Sequence, residues 1–387
     1  VVKNASKDLV FNIDKNEDGS VWFKLYATSK QHVHVVLKND DGTVYYDKKM
    51  DVSPEQLLVE QSIDVNDSPL STLSFYANDL QWHAEPDEIR PIPDAAEAAL
   101  SPEDTKTNDQ LYLTGLHLEQ YRHATLNPTD YYEEALRRDP NDYRCLNQMG
   151  LWYLRRGRFS KAEPYLRRAQ KVLYKRNPNP YDGEPLYNLA LTLRYQGMLH
   201  EAYEWFWKAA WSYAWRSAAL YQAACISVKE GRFEDALEEI NSSLACNSRN
   251  HKVLALKATM LRLAGRKDEA LSVCQKSKQL DLFNYGCRYE EYLLTGDKAV
   301  LDDLINLMHK QFNNYDELAL DYWRCGQNEV AADIWQLADD NGATTAMTYY
   351  YMGLAGKEEG FDLGAKACSD YCFPNRLEAI LALQAAI

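Results

Sequence analysis

Along the first 85 residues, apolar and polar positions alternate with a period of two. Val21-Trp22-Phe23-Lys24-Leu25-Tyr26-Ala27 and His32-Val33-His34-Val35-Val36-Leu37 are runs of this kind, and such alternation sends successive side chains to opposite faces of a sheet. Asn39-Asp40-Asp41-Gly42 follows the second run and Thr43-Val44-Tyr45-Tyr46 returns, which predicts a hairpin closed by an Asp-Gly turn. Residues 9–13, 57–63 and 70–76 supply further short strands. Together they predict a small β-sandwich over residues 1–85, immunoglobulin-like or fibronectin-like in architecture. His32 and His34 fall on one face, where a hydrogen-bonded sheet surface accounts for them more simply than a ligand pair.

Residues 86–106 concentrate proline and acidic side chains and keep no periodic face. They read as a linker with one short helical turn at 95–100. From residue 107 to 387 the period becomes helical and the helices repeat. Gly157, Gly197, Gly231 and Gly265 are spaced by 40, 34 and 34 residues, and Ala162, Ala202, Ala236 and Ala270 each follow five residues later. A glycine turn at constant phase, then a small residue where the second helix crosses the first, predicts stacked helical hairpins.

These residues resemble the tetratricopeptide repeat (TPR) family. The match runs through Leu146, Met149, Gly150, Tyr153 and Leu166, then Leu186, Leu189, Ala190 and Phe206, then Leu220, Ala223, Ala224 and Ile240, then Leu254, Ala258, Leu261 and Cys274. A weaker unit precedes them, with Leu111, Gly115, Leu118, Tyr132 and Ala135, and a degraded one follows at 316–339. The resemblance implies about seven hairpins in a right-handed α-solenoid, with a groove lined by the first helices. The positions it assigns to that groove include Tyr112, Glu119, Asn147, Tyr187, Arg194 and Tyr221. They can hold an extended peptide or, with equal weight, meet solvent or another part of the same protein. Glu184 and Leu191 stand where a clamp for chaperone tails needs Lys or Asn, which argues against that ligand.

Three features lie off the repeat pattern. Six extra residues before the second strong repeat carry Asn179, Tyr181 and Asp182 in a proline-rich excursion, readable as a contact loop or as a longer turn. Seven aromatics, Trp205, Trp211 and Trp215 among them, crowd into residues 203–215. They point in more than one direction along a helix, so some are expected to dock another domain, a partner or, ranked lower, a sugar ring. Glu119 and His123 are four apart and share a face if the helix continues through both. The spacing is not HExxH and no third ligand is evident, so a polar network is expected rather than zinc. No phosphate loop or nucleophile elbow occurs.

The charge balance of 43 Lys and Arg against 57 Asp and Glu gives −14, with 46% apolar residues. This is globular composition, and the net charge opposes nucleic acid and anionic membranes as partners. No apolar run is long enough for a spanning helix. Eight cysteines, all beyond the first third, match neither a zinc knuckle nor a redox pair; only Cys368-x-x-x-Cys372 would place two thiols on one helix face. Free packing thiols in a reducing, cytoplasmic setting are expected, with no metal and no cofactor. The chain opens VVKNASKDLV without an initiator Met and reads as a processed or excised segment.

The phrases NDQLYLTGLHLEQYRHAT, YYEEALRRDPND, RNPNPYDGEPLYNLALTLRYQG and EAYEWFWKAAWSYAWRSAALY are similar to the C-terminal half of large bacterial proteins. In those, a β-rich region like galactose-mutarotase or glycoside-hydrolase accessory domains precedes TPR repeats. The resemblance implies a segment of a carbohydrate-related protein and transfers no catalytic residue. The expected role is a non-catalytic scaffold whose partner is another domain of the same polypeptide or another protein. The alternative is a supporting wall of a glycoside-processing site whose catalytic residues lie upstream, with carbohydrate as the ligand.

Overall fold

The computed structural model describes residues 2–84, 92, 94, 95 and 97–387. They form two compact units, one ending at Glu97 and the other beginning at Ala98. Most of the acidic, proline-rich stretch at 86–96 lies outside the described residues. Residues 97–100 carry no helix where a short helical turn was expected. Residues 101–106 fold onto the second unit: the Arg138 guanidinium donates to the Thr105 carbonyl at 2.7 Å and to the Pro102 carbonyl at 3.1 Å.

The first unit contains eight described strands: β1 (Asn4–Ala5), β2 (Leu9–Lys15), β3 (Val21–Ala27), β4 (Gln31–Asn39), β5 (Val44–Val52), β6 (Leu58–Ile63), β7 (Leu73–Ala77) and β8 (Leu80–His83). They make two antiparallel four-stranded sheets, ordered β1-β2-β3-β6 and β5-β4-β7-β8. The period-two pattern is the cause. Val21, Phe23, Leu25 and Ala27 of β3 point inward, as do Val33, Val35 and Leu37 of β4, and all are buried in one core shared by both sheets. Phe11 of β2 stacks on Phe75 of β7 at 3.6 Å between centroids, so the two sheets meet through this pair. The Asp-Gly hairpin joins β4 to β5, with Gly42 at φ +91°. On the outer face His32 pairs with Asp51 at 2.9 Å and His34 with Asp47 at 2.7 Å, so the two imidazoles have separate partners.

The second unit holds seventeen helices among the described residues: α1 (Asn108–Gln120), α2 (Pro128–Arg138), α3 (Tyr143–Leu154), α4 (Phe159–Tyr174), α5 (Glu184–Tyr195), α6 (Leu199–Ala209), α7 (Tyr213–Lys229), α8 (Phe233–Cys246), α9 (His251–Leu263), α10 (Lys267–Leu280), α11 (Tyr285–Thr295), α12 (Lys298–Met308), α13 (Phe312–Arg324), α14 (Asn328–Asp340), α15 (Ala346–Leu354), α16 (Glu359–Lys366) and α17 (Leu377–Ala385). The first sixteen pair as eight successive hairpins, one more than the approximate number the sequence suggests, because residues 343–366 close a full pair before α17 begins.

One turn recurs. Gly157, Gly197, Gly231, Gly265 and Gly326 all sit at φ between +66° and +83°, a conformation that costs glycine least. In each, the residue after the glycine donates to a carbonyl four residues before it: Arg158 to Tyr153, Met198 to Leu193, Arg232 to Ser227, Arg266 to Leu261 and Gln327 to Tyr322, all at 2.8–2.9 Å. This closure satisfies carbonyls that the helix end leaves free and sets the chain back antiparallel. The small residues then let the helices cross closely. A side chain on Gly150 would meet Leu166 at 2.5 Å, and Ala162, Ala202, Ala236 and Ala270 are all fully buried.

Candidate functional site

From α1 to α11 each odd-numbered helix contacts the next odd-numbered one, and α7 also reaches α13, three hairpins further on. A side chain on Gly326, just after α13, would run into Lys229 at 2.8 Å. The odd row is therefore the inner side of a tight curve. Between α7, α9, α11 and α13 this inner face forms a half-open cavity of about 300 Å³, lined among others by Tyr221, His251, Lys252, Asn284, Asn314 and Asp321.

Its polar groups form a charged frame. The Lys252 ammonium donates to Glu317 at 3.1 Å and to Asp321 at 2.9 Å, and Arg324 donates to Asp321 at 2.6 Å. His251 pairs through Nε2 with Asp281 at 3.2 Å, while its Nδ1 is buried without a partner. Burial, with Asp321 close by, pushes the Tyr221 phenol well above its ordinary value, so it stays a neutral donor. Burial works to raise the Glu317 carboxyl, but Lys252 and Arg376 together hold it below its ordinary range. The frame thus offers fixed charges beside apolar Leu256 and Leu318.

The C-terminal helix α17 lies on the same inner face. Glu378 in its first turn is 2% exposed. It accepts from Arg324 at 2.9 Å and from the Tyr195 hydroxyl at 3.0 Å. Leu377 and Leu381 pack on the core of α3 to α7, Ile380 sits against Gly157, and Ala379 and Ala382 are buried in the core of α11 to α15. Arg376, just before the helix, donates to Glu317 at 2.9 Å. One side of α17 therefore borders the cavity frame.

The groove residues expected from sequence meet different fates. Tyr221 lines the cavity. Tyr187 is partly buried between Phe206, at 5.7 Å, and Trp215, at 4.8 Å. Arg194 donates to Gln222. Asn147 is buried and accepts from Asn188 at 2.9 Å, a bond between adjacent hairpins. The Tyr112 ring lies under the Arg144 guanidinium at 5.1 Å. Glu119 accepts from Arg155 at 2.6 Å. His123 does not join it: α1 stops at Gln120, Arg122 takes φ +50°, and the His123 Nδ1 instead accepts from the Leu126 backbone at 3.1 Å. The shared helix face expected for this pair is absent because the chain turns before reaching the histidine. Cys368 and Cys372 likewise share no helix, since α16 ends at Lys366.

In the excursion before α5, Asn179 bonds its neighbour Asn177, Asp182 accepts from the Glu184 backbone at 3.0 Å, and Tyr181 is almost fully exposed. The aromatic cluster divides. Phe206 is core and Trp215 packs on Tyr187, whereas Trp205 donates to Glu201 at 3.2 Å and Trp211 is exposed under the Lys208 ammonium. The residues the sequence missed are those of the frame: His251, Lys252, Glu317, Asp321 and Arg324. Lys252 stands at the second position of its helix, so extending the groove rule to the fourth strong repeat would have reached it.

A family model described as YphG-like protein, second domain, matches residues 4–77, strands β1 to β7 of the first unit. Among solved structures, a tetratricopeptide repeat protein from Parabacteroides merdae is 20% identical, with a TM-score of 0.40, and the match covers 63% of this chain and 98% of that one. PilW, a type IV pilus biogenesis factor, is 20% identical with a TM-score of 0.43, covering 55% and 94%. YrrB, described as a TPR protein with an unusual peptide-binding site, is 14% identical with a TM-score of 0.37, covering 51% and 96%. At these scores the repeat character of this chain stands on its own turn geometry. Among the described residues, no helix is long and apolar enough to cross a membrane.

Proposed function

We propose that the helical unit is a non-catalytic scaffold that holds a polypeptide segment of another protein or domain on its odd-numbered helices. The observation that carries this reading is the cavity among α7, α9, α11 and α13, whose frame of Lys252, Glu317 and Asp321 offers a backbone fixed charges and hydrogen-bonding groups. Preset partners of this kind reduce the ordering cost of binding. The first unit is read as an immunoglobulin-like or fibronectin-like sandwich belonging to the same assembly, and the carbohydrate-related parentage implied by the sequence resemblance is kept as its setting. A glycoside-cleaving pair finds no support in the frame. Glu317 and Asp321 are one turn apart on one helix and share a lysine, whereas that chemistry needs carboxyls on opposite sides of a pocket.

A displayed library of twelve-residue peptides, selected against the full chain and then assayed by calorimetry, tests the reading. Selected peptides are expected to lose at least tenfold in affinity with Lys252→Met. Peptides whose binding ignores that change, or an empty selection, would overturn it.

A further inference from the structure

We infer that α17 is a resident, displaceable ligand of the inner face, and that the partner it yields to is an amphipathic helix with an acid in its first turn followed by large apolar residues. The inference rests on the reading of the odd row as a polypeptide-binding face.

Four observations converge. α17 departs from the hairpin rhythm: besides packing on neighbouring α15, it reaches helices far from it in sequence, and Tyr195, which bonds Glu378, lies 183 positions away. Its contacts are those of a bound peptide helix, with anchors Leu377, Ile380 and Leu381 on one side, the small Ala379 and Ala382 seated against the core of α11 to α15 on another, and a single acid received by a preset site. That site is built in advance. Arg324 is held by Asp321 as well as by Glu378, and Tyr195 stacks on Phe159 at 5.2 Å with its ring nearly parallel. Finally, the segment joining α16 to α17 carries Tyr371 at φ +58° and exposes Tyr371 and Phe373 to solvent, so the helix is tethered through a stretch with few contacts of its own.

Displacement would reach the cavity. Arg376 and Lys252 share the Glu317 carboxylate, one on each oxygen. Lifting α17 withdraws Arg376 and leaves that carboxylate to Lys252 and to whatever occupies the cavity. A tethered helix competes at an effective concentration on the order of millimolar, so a micromolar ligand succeeds only when the latch is weakened or its own contacts are better.

The test uses the full chain and a fluorescein-labelled peptide of residues 374–387, read by anisotropy. The unsubstituted chain, with its own α17 seated, is expected to bind weakly. Glu378→Lys loses its own latch but keeps Arg324 and Tyr195, and it is expected to bind the peptide at least thirtyfold more tightly. Adding Arg324→Glu gives the introduced ammonium an acid to pair with and removes the site for the peptide's acid, so binding should weaken back. If the Glu378→Lys chain fails to keep its helical circular dichroism, Ile380→Ala, which loosens the helix without a charge change, takes its place in the same comparison. Absence of binding to a folded, weakened chain would make α17 a permanent clasp and overturn the inference, and equal binding to all three proteins would do the same. Library peptides dependent on Lys252 would be unaffected by that failure, so the two readings fall separately.

Discussion

The indole nitrogen of Trp335 donates to the Asp316 carboxylate at 3.1 Å, with both side chains buried. Burial dominates and pushes the Asp316 carboxyl up to about 6, against the opposing pull of Arg376 and the hydrogen bond from Trp335. The folded chain therefore retains this proton between roughly pH 4 and pH 6, where the unfolded chain releases it. Stability falls as pH rises through that window, by on the order of 3 kcal/mol from this group, and its contribution is level above. Asp316→Asn keeps an oxygen for Trp335 and carries no charge. Urea unfolding should find it more stable than the unsubstituted chain at pH 7 and nearly equal at pH 4; a constant difference at both would contradict the assignment.

Gly150 faces Leu166 so closely that even a methyl group would meet it. Helix propensity alone favours Gly150→Ala by about 1 kcal/mol, but overpacking opposes it by about 1–3 kcal/mol. Chemical denaturation should show net destabilisation. A stabilised Gly150→Ala protein would mean that the α3–α4 crossing is looser than described.

Glu290 is fully buried and accepts from Arg262 at 2.7 Å, from Thr259 at 2.8 Å and from Tyr322 at 2.8 Å. Arg262→Met strands this carboxylate and should cost about 3–5 kcal/mol, while the double change with Glu290→Leu should recover most of the loss. Additive losses in a double-mutant cycle would contradict the pairing.

Two aromatics five residues apart should behave oppositely. Phe206 is fully buried, and Phe206→Ala should cost about 3–5 kcal/mol. Trp211 is 60% exposed, and Trp211→Ala should change stability by no more than about 0.5 kcal/mol. Comparable losses at both sites would place Trp211 in a contact that the structure lacks.

The division of legibility follows from the range of the interactions. Gly157, Gly197, Gly231 and Gly265 could be read from sequence because their turns are closed by bonds spanning five residues, and the strands because inward positions such as Phe23 and Leu25 alternate locally. The cavity frame could not. Lys252 finds its acids 65 and 69 positions away, a meeting set by the curvature of the stack rather than by any local pattern. α17 was hidden for the same reason: residues 377–385 look like an ordinary last helix until Arg324 and Tyr195 are seen to receive Glu378. His123 failed at the opposite scale, since α1 ends at Gln120, the left-handed Arg122 turns the chain away just before the histidine, and no glycine or proline marks the spot.

A polypeptide held on the odd-numbered helices would slow amide exchange along them. Hydrogen exchange of the full chain, measured with and without a saturating peptide from the library selection, tests it most directly. Added protection is expected in α7, α9, α11 and α13, with the strands and the outer helices α8, α10 and α14 unchanged. Protection confined to the strands or to the outer helices would contradict it.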